Sequence, residues 1–208
     1  MDKERTIDIK VIWQDLASQY TDDLNWIQQL WEEIVAYYSR PDRHYHNLSH
    51  LEYLLGWYEK LRNKLTDPEA FIFAIFYHDI IYDVCRDDNE DRSADLAEKR
   101  MTQLNVPQST IDLCRDHIMA TQGHLPTSDP DTNYFIDIDI SVLGEDPELF
   151  LKYSQQIRLE HSHRDDEEFW KARKVFFESY LNRDHIFATE EFRKSHEDQA
   201  RRNMKKMM

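Results

Sequence analysis

The sequence predicts an all-α protein, and three observations predict it. Its 208 residues include only 3 Gly and 6 Pro, too few turn formers for the many reversals of a strand-rich chain. Apolar residues recur at helical spacing through nearly the whole chain. Breaks in that pattern fall at residues that cap helices. No internal repeat, low-complexity linker or composition shift marks a boundary. The expectation is one multi-helix domain over 1–208, with a core of about 22–145 and a helical extension of about 146–204, long enough to bury a sizeable interior.

Residues 7–20 and 22–39 read as two amphipathic helices, the second with Thr21 as N-cap. The segment RPDRHYHN turns the chain. From about Asn47 the stripe Leu51, Leu54, Leu55, Tyr58 and Leu61 marks a third helix. Asp67 followed by Pro68 is a cap joined to the residue favoured at the first helical position. The helix it opens, to about Tyr82, is apolar nearly all round and so central. A more exposed helix spans 89–105, and Ser109 caps another that stops at Gly123. HLPTSDPDTN reads as a loop. YFIDIDISVLG alternates like a strand in helical surroundings, and its periodicity leaves both readings open. Asp146-Pro147 repeats the cap-plus-proline signature and opens a helix to about His161; another covers about 166–182, where Trp170, Phe176, Phe177 and Tyr180 form a core stripe. A charged helix from Glu190 ends the chain, fraying at KKMM.

A formal charge of −15, from 41 acidic and 26 basic residues, repels a phosphate backbone, so no nucleic-acid partner is expected. The two cysteines form neither a CxxC pair nor a disulfide framework, which suits a reducing cytoplasm. MDKERTIDIK lacks the apolar core of a signal peptide, and no segment approaches a membrane span, so no membrane partner is expected.

The chemistry concentrates at a few positions. His46 and His50, four apart, share a helix face. His78 and Asp79 end the apolar run AFIFAIFYHDIIYD, and Asp137 and Asp139 recur in a second apolar segment. Two imidazoles and two carboxylates suit a divalent transition metal such as Mn, Fe, Co, Ni or Zn, which would neutralise a carboxylate in a setting that otherwise penalises charge. Spacing alone leaves a second reading, in which His78 and Asp79 cap a helix end or pair with an arginine.

The blocks YHNLSHLEYLL, FYHDIIYD, DNEDRSADLA, FIDIDISVLG and EDQARRNM, in this order from residue 45 to about 204, resemble the HD-domain superfamily of metal-dependent phosphohydrolases, and within it the subgroup that opens with YHN-x-x-H. The resemblance implies an HD-type helical domain whose metal ligands are His50, His78, Asp79 and Asp139, with Asp137 as the alternative to Asp139. It implies one metal per chain by default, with His124 and His117 standing where two-metal members carry extra histidines. His117 otherwise reads as a partly exposed helix residue.

Asp79, Glu90 and His46 are the candidate catalytic groups, Glu90 because Asn89-Glu90 matches the NE of the block and His46 because it lies one turn before His50. Arg158 and Lys152 are candidates for a substrate phosphate; together with Arg173 their simpler expectation is surface ion pairing. His161 and His163 read as a solvated helix terminus. The expected activity is hydrolysis of a small phosphorylated metabolite or nucleotide by metal-activated water. A di-iron HD-type oxygenase and a non-catalytic ligand-sensing module are the alternatives. The aromatic-rich C-terminal region suggests a homodimer.

Overall fold

Aspartate and asparagine open most helices of this chain. In the computed structural model, which describes residues 8–208, the side chains of Asp8, Asp23, Asn47 and Asp67 each accept hydrogen bonds from backbone N–H groups of the first helical turn, groups that otherwise lack a partner. Among the described residues there are ten α-helices, one short 3-10 turn and no strand. The all-α expectation holds. Two compact units divide the chain, Met1–Gln122 and Gly123–Met208.

The first unit contains α1 (Ile9–Ala17), α2 (Leu24–Tyr38), α3 (Leu48–Leu61), α4 (Pro68–Tyr77), α5 (Asn89–Gln103) and α6 (Gln108–Ala120). Ile7, the start of the expected 7–20 helix, lies outside the described residues. The cap of α2 is Asp23 and not Thr21, whose hydroxyl instead accepts from the Asp23 N–H at 3.2 Å. Every residue of α4 from Ala70 to Tyr77 is buried, and Trp13 of α1 packs edge-on against Phe73, Phe76 and Tyr77 with ring centroids 5.3–6.2 Å apart. Each such ring, fully buried, contributes about 1.5–3 kcal/mol, so this helix organises the core. The Asp67 carboxylate caps α4 through the Ala70 N–H and also accepts from the Thr110 hydroxyl of α6 at 3.1 Å. Arg100 of α5 clamps Glu33 of α2 through two bonds of 2.6 and 2.8 Å.

Two expected boundaries move for identifiable reasons. Helix α4 ends at Tyr77 rather than about Tyr82, because Arg43 captures the next carbonyls: it donates to Asp79 O at 2.7 Å and Ile80 O at 2.8 Å. Ser109 lies inside α6, which begins after Pro107 without a side-chain cap and ends at Ala120. The left-handed residue that follows is His124, with φ 46°, and not Gly123.

The second unit contains α7 (Pro130–Ile140), the 3-10 turn Ser141–Gly144, α8 (Pro147–Glu160), α9 (Asp166–Leu181) and α10 (Glu190–Met207). The segment read as a loop through Asn133 already belongs to α7, because Asp129-Pro130 repeats the cap-plus-proline signature and Asp129 accepts from the Thr132 N–H at 2.7 Å. FIDIDI is helical, and its alternation does not define a face, since Phe135, Ile136, Asp137 and Ile138 are all buried. In α9 Phe169, Phe177 and Tyr180 are buried, whereas Trp170 is 38% exposed, which replaces one member of the expected stripe. Helix α10 runs to Met207 over the 3-10 turn, where Asn203 donates to Leu143 O and Glu145 O at 2.9 and 2.8 Å. A Cβ on Gly144 would lie 2.5 Å from His196 Cβ, so only glycine permits this approach. No helix among the described residues is long and apolar enough to cross a membrane.

Candidate metal centre

In the first unit, the cap at Asn47 starts α3 so that His50 falls in its first turn, buried beside Leu51 and Leu54. His78 is the C-cap residue of α4, and Asp79 follows in the turn held by Arg43. The Nε2 atoms of His50 and His78 are 3.1 Å apart. Oδ2 of Asp79 lies 3.1 Å from His78 Nε2 and 3.9 Å from His50 Nε2. His46 Nε2 is 3.9 Å from the same oxygen.

The tautomer of His78 follows from its other nitrogen. Nδ1 lies 3.0 Å from the carbonyl oxygen of Ile75, and a carbonyl only accepts, so Nδ1 carries the proton. A neutral His78 therefore turns an Nε2 lone pair toward the Asp79 carboxylate. The same nitrogen also faces His50 Nε2, and a cation, either a proton or a metal ion, would bind favourably between these groups. Two nitrogens bound to one metal at about 2.0–2.1 Å, with an angle of roughly 90–110°, lie about 2.8–3.4 Å apart. The His50–His78 separation fits that range, and imidazole with carboxylate is a donor set that suits a transition metal.

Around this cluster sits a supporting layer whose roles composition does not show. Arg43 is buried, donates to His46 O at 3.2 Å as well as to Asp79 O and Ile80 O, and stacks over the Tyr38 ring at 4.8 Å. It joins the RPDRHYHN turn to the His-Asp turn. The ring of Tyr82 stacks on His46 with centroids 4.1 Å apart. From α5, Asn89 accepts from the Asp83 N–H at 3.1 Å and donates to Asp83 O at 2.9 Å. Ser93, one turn on, does the same for Ile81 at 3.1 and 3.2 Å. The N and S of DNEDRSA thus clamp the chain that leaves the cluster. Glu90 is half-buried in the first turn of α5. His117 is fully buried rather than partly exposed, with its ring edge-on to Phe71 at 5.9 Å.

In the second unit, the two aspartates of FIDIDI have different surroundings, as residues two apart on a helix should. Asp137 is fully buried and accepts from Ala188 N at 2.6 Å, Thr189 N at 2.8 Å and Thr189 Oγ1 at 2.6 Å. Burial raises its pKa to about 6, against the pull of these donors. It fastens the start of α10. Asp139 is partly exposed, and its Oδ2 accepts from His124 Nε2 at 2.7 Å. His124 Nδ1 in turn accepts from the Tyr180 hydroxyl at 3.2 Å, a phenol that burial keeps protonated. Arg183 donates to His124 O and Gly123 O, so His124 is held from both sides and orients the Asp139 carboxylate.

The expected phosphate groups are placed differently from one another. Arg158 binds Asp166 at 2.7 Å and the carbonyls of His161 and Arg164, each at 3.1 Å, closing the α8–α9 connection. Lys152 is exposed on α8. Arg173 is not a surface residue: it is 9% exposed and lies against three aromatic rings. Comparison with protein-family models, curated proteins and solved structures finds no match.

Proposed function

We propose that the protein is a metal-dependent phosphohydrolase of the HD type. His50, His78 and Asp79 would hold a divalent transition metal, for which two imidazoles and a carboxylate are suitable donors. The observation that supports this most is the convergence of His50 Nε2, His78 Nε2 and Asp79 Oδ2, with the proton of His78 fixed on the far side of its ring by Ile75 O. When bound, a dication of this kind lowers the pKa of a coordinated water and neutralises charge on phosphoryl oxygens.

The chain's own residues do the rest. Arg43 fixes the backbone of Asp79 and so aims its carboxylate. His46, at the partly exposed edge of the cluster and within 3.9 Å of Asp79, can take or give a proton at Nε2. Glu90 is a second candidate for that transfer. We assign the substrate as a small phosphorylated metabolite or nucleotide, because a chain of charge −15 disfavours a polyanion.

The test is elemental analysis of the purified protein followed by assay of the metal-loaded form against phosphomonoesters, cyclic nucleotides and nucleoside polyphosphates. About one metal per chain and release of phosphate from at least one class are expected. Bound metal with no turnover on any class would leave a ligand-sensing module, and absence of metal binding would remove the proposal altogether.

A further inference from the structure

The C-terminal unit holds a cavity to which no role has been given above. Between α8 and α9 lies a cavity of about 190 Å³ lined by Ile157, His161, Arg164, Phe169, Arg173 and Phe176. Its walls are apolar and aromatic, yet two guanidinium groups face it in a protein of net charge −15.

Arg173 is 91% removed from solvent, being 9% exposed. Among the described residues no carboxylate pairs with it. Its contacts are the Tyr153 hydroxyl, to which Nη2 donates at 2.5 Å, and the faces of Tyr153, Phe176 and Phe177 at 5.0, 4.4 and 4.6 Å. Ring faces offset part of the desolvation of a cation, but a guanidinium has five N–H donors, and a buried charge is ordinarily paired. Arg164 likewise makes no ion pair among the described residues. Nδ1 of His161 is buried and has no hydrogen-bond partner, which native interiors rarely tolerate. Burial, followed by the charges of Arg164, His163 and Arg173, depresses the His161 pKa to about 4 against the opposing pull of Glu160, so the ring is neutral near pH 7 and Nδ1 can donate without adding charge.

Two cations without a carboxylate partner among the described residues, set among aromatic walls, suit an anion with an apolar body. We infer that this cavity is a binding site for a small carboxylate-bearing molecule with an aromatic or branched apolar body. The carboxylate would lie between Arg173 and Arg164, with His161 beside it, and the body against Phe169 and Phe176. The volume fits one ring, since an apolar cavity of about 150 Å³ accepts benzene.

The test titrates the full-length protein with benzoate and with its neutral counterpart benzyl alcohol at constant ionic strength. Calorimetry and the side-chain NMR signals of His161 provide the readouts. The expected result is saturable one-to-one binding of benzoate that moves the His161 signals, with benzyl alcohol at least about tenfold weaker, as loss of charge-assisted hydrogen bonds requires. Arg173→Met should weaken benzoate at least about tenfold. Because that variant also disturbs packing, Arg164→Gln, at a partly exposed position, provides a second reading and should weaken it severalfold while leaving the melting temperature unchanged. The inference is overturned if benzoate does not saturate, if benzyl alcohol binds equally well, or if Arg164→Gln folds and binds benzoate as the parent does.

Discussion

Asp137 lies inside an apolar helix and the His50–His78–Asp79 cluster at helix ends, and their surroundings differ in kind. Asp137 is an acceptor surrounded by donors: two backbone N–H groups and a hydroxyl point at its oxygens. At the cluster, Nε2 of His78 lies 3.1 Å from both the Asp79 carboxylate and His50 Nε2, while its Nδ1 is held by Ile75 O. A carboxylate in or beside an apolar helix therefore says little by itself about chemistry. On the metal reading proposed above, what separates Asp79 from the structural acid Asp137 is that its nearest polar neighbours are imidazole nitrogens rather than backbone N–H groups.

That contrast can be broken at either end. The largest effect should come from His78→Ala or Asp79→Ala, each expected to lower metal affinity at least about 100-fold, since even residues that only orient ligands cost 10–100-fold. Elemental analysis and competition titration measure this, and Asp137→Asn should retain wild-type metal content.

Next comes pH. The folded pKa of Asp137 is raised to about 6, so the folded form holds its proton more tightly than the unfolded chain does. Its contribution to stability is present in full below about pH 4 and is lost as pH rises through about 6, by up to about 3 kcal/mol. Chemical denaturation of the parent across that window should show this fall, and Asp137→Asn should lack it. At pH 7 the same variant, whose amide N–H₂ would meet backbone donors, should cost about 2 kcal/mol of unfolding free energy. The smallest effect is predicted for Asn89→Ala, about 1 kcal/mol in stability with a severalfold weaker metal affinity, because it loosens the loop without removing a ligand.

Much of the fold was legible where its cause is local. Asp67-Pro68 and Asp146-Pro147 mark their helices correctly because cap and proline act within one turn. Asp129-Pro130 carries the same signal, masked by the turn formers around it. The end of α4 was not legible, since the residue that sets it, Arg43, lies 36 positions from Asp79. The same holds for Arg173: the sequence shows a charge, whereas the ring faces that shelter it come from two different helices. Helical spacing required Asp137 and Asp139 to part company, but only the hydrogen-bond donors of 188–189 reveal which of them is fastened. Asn89 and Ser93 stood out in the sequence as part of a block, although their target, the backbone of residues 81 and 83, did not.

Those two side chains, each joined to both the N–H and the C=O of one residue, act on the loop as a neighbouring β-strand would, in a protein whose described residues include none. The consequence concerns hydrogen exchange. The amides of Ile81 and Asp83, although outside any helix, should exchange with solvent deuterons as slowly as amides in a regular sheet, and that protection should vanish at Asp83 in Asn89→Ala while persisting at Ile81.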